Sequence, residues 1–234
     1  MITNRPSIVL VRPQLPENIG MVARVMSNFS LKDLIIVKPR ENWLNKQTIN
    51  VAKKAKNILN NAKVYKNLDE ALKNYTYVIS TTNRKRYLDK PVTNNFKKID
   101  KAINNSKKVA ILFGPENSGL SNKDLRLSDL IFSIDTNKIS NSLNLSHAVT
   151  IICYKFYEFN QSEIPKKNKI NHANKGQLTK YFDFLFECLS NKNFFVPIEK
   201  TETMKDNIFN IYMKSNLTKK ELQTLWGITK KLTK

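Results

Sequence analysis

Over its first two thirds the chain alternates short apolar runs with polar turns and amphipathic stretches. SIVLV (7–11), LIIV (34–37), TYVIS (76–80), VAILF (109–113) and LIFSI (130–134) are short and rich in β-branched residues, which predicts buried strands, and Val64 marks a further short one. Helical spacing predicts the elements between them. Ile19, Val22, Met26 and Phe29 share a face over 18–29, and Val51, Ala55 and Ile58 do so in a Lys-rich helix over 48–59. A short helix over 68–72, another over 122–127 with Ser121 as N-cap, and an apolar helix over 143–157 capped by Ser142 or Asn144 complete the pattern. Pro13 and Pro16 are expected to hold 12–18 in a loop. Strands this continuously apolar, separated by helices, predict an α/β fold with a mostly parallel sheet covered on both faces.

Residues 159–175 are polar, rich in Asn and Lys, and interrupted by Pro165, as in a linker. Beyond them strands disappear. Leu178, Phe182, Leu185, Phe186 and Leu189 line one helix face, and Met204, Ile208, Ile211 and Tyr212 line a second. Thr218 and Glu221 form a capping box ahead of Leu222, Leu225, Trp226, Thr229 and Leu232 on a third. The expected organisation is a sheet domain over 1–158, a linker over 159–175 and a small all-α C-terminal domain over 176–234. Phe194-Phe195-Val196-Pro197 reads as core between the first two helices, with an aromatic platform for a base as the alternative.

Two strands run directly into small polar loops: 109–113 into Gly-Pro-Glu-Asn-Ser-Gly-Leu-Ser, and 130–134 into 135–141 followed by Ser142-Leu143-Asn144. In parallel sheets ligands bind at the strands' carboxyl ends. Gly114 and Gly119 allow unusual backbone angles and close approach, and Glu116 is the single carboxylate between them. Thr81-Thr82-Asn83 at another strand end, followed by Arg84-Lys85-Arg86, has the chemistry of a ligand loop beside a phosphate contact.

Charge narrows the partner. The chain has 234 residues, 40 of them basic, and a net charge of +21, which points to a polyanion such as RNA or DNA. Only seven of the basic residues are arginines, so part of the Lys excess reflects coding bias, and the arginines carry more information. Five glycines permit neither a GxGxxG fingerprint nor a Walker loop. Two cysteines and two histidines, scattered, indicate buried thiols and no metal centre. No apolar run reaches membrane-spanning length and no leader pattern is visible, so a cytoplasmic protein with no membrane partner is expected.

Three motifs, in this order and spacing, carry a family resemblance: Asn18-Ile19-Gly20 with Ala23-Arg24; Leu112-Phe113-Gly114-Pro115-Glu116-Asn117-Ser118-Gly119-Leu120; and Ser142-Leu143-Asn144-Leu145-Ser146. The chain resembles, over essentially its whole length, the SpoU/TrmH family of SPOUT methyltransferases, most closely its TrmJ-type tRNA 2'-O-ribose methyltransferases. The resemblance implies a deep trefoil knot, a homodimer, S-adenosylmethionine as cofactor and tRNA as substrate, with the cytidine or uridine at position 32 as target. It places Arg24, Asn18, Glu116, Ser142 and Asn144 at the catalytic positions. Thr81, Thr82, Asn83, Gly114, Ile134, Asn141, Ser142 and Leu143 fall at cofactor-binding positions. Arg24, Arg84, Lys85 and Arg86 are expected to meet RNA.

Overall fold

The computed structural model describes residues 5–84, 89–106, 108–137, 139, 142–160 and 171–233. Among them, strands β1 (Ser7–Val11), β2 (Leu34–Val37), β3 (Lys63–Tyr65), β4 (Tyr77–Thr81), β5 (Val92–Thr93), β6 (Val109–Phe113) and β7 (Leu130–Phe132) form one sheet. The order is β3-β2-β1-β6-β4-β7-β5, and every pairing is parallel. Alternate residues of each strand supply the two faces of the core. Ile8, Leu10, Ile36, Ile79, Ile111 and Phe113 point into one apolar cluster, while Val9, Val11, Ile35, Val37, Val78 and Leu112 point into the other.

Helix α1 (Pro16–Asn28) packs against α2 (Lys46–Ala52) and, further along, against the long α7 (Leu145–Asn160). It begins inside the predicted loop, because Pro16 occupies the first helical position, where a missing N–H costs nothing. The helix expected over 48–59 is instead broken: α2 ends at Ala52, Lys53 takes φ 53°, and a 3-10 turn over Lys53–Ala55 precedes α3 (Lys56–Asn60). Helix α4 (Leu68–Leu72) follows β3. Strand β5 and helix α5 (Phe96–Asn105) were not expected. The strand is only two residues long, but the helix had a readable signal in the Asn95 cap and in Phe96, Ile99 and Ile103 on one face. Helix α6 (Asn122–Leu125) is shorter than predicted and opens on a capping box of Ser121 and Asp124.

Helices α8 (Lys175–Asn191), α9 (Thr201–Ser215) and α10 (Lys219–Leu232) build a third core around Tyr181, Phe182, Met213 and Leu222. The inner face of α9 is rotated from the predicted one. Phe209 and Met213 turn in, whereas Ile211 is 65% exposed. Leu232 is also exposed, and of the expected core run near 195 only Phe195 is buried.

These helices dock on the sheet through charge as well as contact. Lys175 is 1% exposed, and its Nζ donates to both oxygens of Asp129 at 2.7 and 2.6 Å, while its backbone N–H donates to Tyr75. Asp129 Oδ2 in turn accepts from Val78 at the start of β4, at 2.7 Å. Beside them Lys90 donates to the carbonyls of Arg126 and Ser128 at 2.7 and 2.9 Å. Arg126 pairs with Glu202 and Asp206 of α9, and Lys214 pairs with Asp89. Among the described residues no helix is long and apolar enough to cross a membrane.

Candidate functional site

Three segments that leave neighbouring strands at the carboxyl edge of the sheet, and a fourth that enters α7, enclose a cavity of about 580 Å³. Thr81, Thr82, Asn83 and Arg84 come from the end of β4; Phe113, Gly114, Pro115, Glu116 and Gly119 from the end of β6. Phe132, Ile134 and Thr136 follow β7, and Ser142, Leu143, Leu145 and Ala148 lead into α7. Such a mixed lining of aromatic, aliphatic and hydroxyl or amide groups, in a volume of a few hundred Å³, suits a small organic ligand.

The loop after β6 folds tightly on itself. A Cβ on Gly114 would lie 2.3 Å from the Leu120 nitrogen, so only glycine permits this approach, and Gly119 alone of the two takes a left-handed backbone, at φ 65°. Arg84 reaches across and donates to the Asn117 carbonyl at 3.0 Å, closing one wall. Asn83 accepts from Ser133 Oγ at 2.8 Å and donates to Thr136 at 3.1 Å, which ties the β4 loop to the β7 loop.

Glu116 links this loop to the start of α1. Its carboxylate accepts from the backbone N–H groups of Gln14 (2.8 Å) and Leu15 (3.3 Å) and from Asn18 Nδ2 (2.8 Å). Asn18 Oδ1 then accepts from Asn144 Nδ2 at 3.1 Å, and Asn144 Oδ1 caps α7 by accepting from Ser146 N at 2.8 Å. Asn144 rather than Ser142 therefore fills the capping role. A second carboxylate, Asp124, accepts two hydrogen bonds from the Arg12 guanidinium and two more from Ser121. Burial alone would raise the Asp124 carboxyl, but the bonds from Arg12 and Ser121 hold it below its ordinary value; the same bond to Asp124 raises Arg12.

Of the expected cofactor positions, Thr81, Thr82, Asn83, Gly114, Ile134, Ser142 and Leu143 all line the cavity, while Asn141 lies outside the described residues. Among the expected catalytic positions Glu116 and Ser142 reach the lining; Asn18 and Asn144 stand behind it, joined to Glu116 in one hydrogen-bonded chain. Arg24 is not part of that lining. It projects from the exposed side of α1 and has no hydrogen-bond or ion-pair partner among the described residues. Arg84, expected to meet RNA, is itself a wall residue, and Lys85 and Arg86 lie outside the described residues. Arg12 and Asp124 carried no sequence signal, because two residues 112 positions apart declare a pairing only once the strands align.

A parallel sheet with its ligand cavity at the carboxyl edge, floored by a Gly-Pro-Glu-Asn-Ser-Gly loop, defines an α/β enzyme of the RNA-methylase type. The chain belongs to the SpoU rRNA methylase family, whose profile matches residues 5–154. It is 31% identical to the tRNA (cytidine-2'-O-)-methyltransferase TrmJ of Methanocaldococcus jannaschii, over 96% of this chain and 98% of that one. It is 28% identical to the tRNA (cytidine/uridine/adenosine-2'-O-)-methyltransferase TrmJ of Pseudomonas aeruginosa, over 96% and 92% respectively. The crystal structure of TrmJ from Z. mobilis ZM4 superposes with a TM-score of 0.89 at 33% identity, covering 98% of this chain and all of that one.

Proposed function

We propose that this protein is a cytoplasmic S-adenosylmethionine-dependent tRNA 2'-O-methyltransferase acting on the cytidine or uridine at position 32. The observation that carries this reading is the cavity: every described residue expected at a cofactor position lines it. Relatives matching the chain from end to end and named for tRNA 2'-O-methylation support the substrate class. The residues fit the cofactor. Gly114 lets the loop fold back on Gly119 and Leu120 at the cavity's edge, Phe113, Phe132, Ile134, Leu143 and Leu145 offer apolar walls, and Thr81, Asn83 and Thr136 offer polar contacts. Bound there, S-adenosylmethionine supplies an activated methyl group.

The chain's own task is then to hold a ribose 2'-hydroxyl in line and stabilise the alkoxide as its proton leaves. Arg24, a cation on α1 with no partner among the described residues, clamps the target phosphate and the developing oxyanion, with a phosphate oxygen or water taking the proton, since arginine stays protonated. Glu116, Asn18 and Asn144 keep α1 in register with the cavity, and Ser142 shapes its mouth. Arg84, Lys85 and Arg86 follow the RNA backbone.

A homodimer belongs to the same reading. Met21 on α1 and Ile151, Tyr154 and Tyr157 on α7 are exposed apolar side chains on two packed helices, and Phe29 lies 5.9 Å from both tyrosine rings. A second copy of the chain covers this face, with Arg24 one turn from Met21 at its edge. The trefoil knot is also part of the proposal, supported by the insertion of β7 between the earlier strands β4 and β5.

The test is methyl transfer from labelled S-adenosylmethionine to unmodified total tRNA, with nuclease mapping of the product. A 2'-O-methyl at position 32 supports the full reading, label elsewhere in tRNA moves the target, and label only in ribosomal RNA replaces the substrate class.

A further inference from the structure

The loop between β1 and α1 is gripped at both ends by carboxylates from one neighbouring segment. At its far end Glu116 accepts from Gln14, Leu15 and Asn18. At its near end the Arg12 guanidinium meets Asp124 with Nη1 on Oδ1 at 3.0 Å and Nη2 on Oδ2 at 2.5 Å. Arg12 also has φ 50°, a left-handed backbone that side-chain-bearing residues avoid. Four bonds hold it there: its N–H donates to Val37 O at 2.8 Å, its own carbonyl accepts from Gln14 Nε2 at 2.8 Å, and the two bonds of the fork lock its side chain.

Asp124 is a prepared partner. Its side chain is 6% exposed, and Oδ2 accepts from both the backbone N–H and the hydroxyl of Ser121 at 2.7 Å, so the carboxylate is fixed before Arg12 arrives. A planar two-point fork transmits orientation as well as attraction, which a single ammonium contact does not. Neither residue lines the cavity.

We propose that Arg12 and Asp124 are positioning residues for methyl transfer, setting the start of α1, and with it Asn18 and Arg24, against the glycine-flanked loop that floors the cavity. This rests on the functional reading above. With the fork intact, residues 12–18 and the 114–124 segment move as one body. Without it, Glu116 is the one side-chain link left between these two segments among the described residues, and the acceptor side drifts against the donor side. Small misplacements of reacting groups cost rate steeply while leaving binding of either ligand in place.

The experiment uses the full chain and the variants Arg12→Met, Arg12→Lys, Asp124→Asn and the Arg12→Met/Asp124→Asn pair. Two readouts are taken: steady-state methylation of tRNA with S-adenosylmethionine affinity, and amide exchange over residues 12–18. The expected result is a kcat at least tenfold lower for Arg12→Met and for Asp124→Asn, with tRNA KM and S-adenosylmethionine affinity within about twofold of the parent. The double variant should be no slower than either single one, because the pair acts as a unit, and Arg12→Lys should recover part of the loss. Gln14 and Leu15 should lose exchange protection in the same variants. A raised tRNA KM in Arg12→Met, with Asp124→Asn unaffected, would make Arg12 an RNA contact and overturn the proposal, as would unchanged kcat throughout. Should Asp124→Asn unfold through loss of its helix cap, the contrast between Arg12→Met and Arg12→Lys decides. If the parent protein does not methylate tRNA, the functional reading fails on its own, and the clamp is judged by exchange: lost protection sustains it and unchanged protection overturns it.

Discussion

Gly114 and Glu116 lie two residues apart and fail in different ways when replaced. Gly114→Ala places a methyl 2.3 Å from a backbone nitrogen, so the loop must open. We expect S-adenosylmethionine affinity to fall at least tenfold, read by calorimetry, with the fold retained because the strands beneath are untouched. Glu116→Gln keeps the volume but replaces one of the two oxygens, which between them accept from three donors, with an NH2 group that cannot accept. Leaving a part-buried donor such as Gln14 N or Asn18 Nδ2 without its acceptor costs about 1–3 kcal/mol. Turnover should therefore drop more than tenfold while cofactor affinity changes little, since the bonds at stake face α1 rather than the cavity. Arg24→Ala should abolish turnover with cofactor affinity nearly intact, and loss of cofactor binding in that variant would remove Arg24 from its proposed role.

At the scale of elements, helix α8 does not simply follow a tether, because its first residue is the buried Lys175. Lys175→Met strands the Asp129 carboxylate at the base of β7, and breaking a buried pair costs about 3–5 kcal/mol. Adding Asp129→Asn removes the stranded charge and keeps an acceptor for Val78, so the double variant should regain most of the lost denaturation midpoint. Lys90 gives the same region a pH dependence. Burial pushes its ammonium down to about 8 from 10.5, with Asp129 pulling the other way. Between those values the unfolded chain binds the extra proton, so this group's contribution to stability rises with pH from about 8 to about 10.5, by up to about 3 kcal/mol. Urea titrations across that range should show a steeper rise for the parent protein than for Lys90→Met.

For the molecule as a whole, a net charge of +21 sets how tRNA is held. A footprint of about six to ten phosphates would weaken binding by about 10³–10⁵ between 50 and 200 mM salt, whereas cofactor affinity should hardly respond. Deleting residues 160–234 would test that footprint poorly. Such a deletion removes Lys175 and the partners of Arg126, leaving Asp129 buried without its cation. The RNA contribution of the C-terminal helices is better measured by neutralising Lys219, Lys220, Lys230 and Lys231 in the full chain. A several-fold loss of tRNA affinity with unchanged unfolding would place α10 in the footprint.

The sequence by itself determined the parallel sheet, because strands buried on both faces must be apolar without interruption, and 8–11, 34–37 and 109–113 are. It determined the loops of the cavity as well, since Gly114, Gly119 and Glu116 follow a strand directly and their chemistry is local. Short elements escaped it: two residues of β5 carry too little pattern, and the break at Lys53 is a positive-φ backbone at a lysine, which no residue type announces. Only the tertiary structure decided that Glu116 would hold Gln14, Leu15 and Asn18, that Arg12 would meet Asp124, and that Lys175 would be buried on Asp129. Each joins residues scores of positions apart, and a side chain's partner across such a distance is set by strand order and register, which no local pattern records.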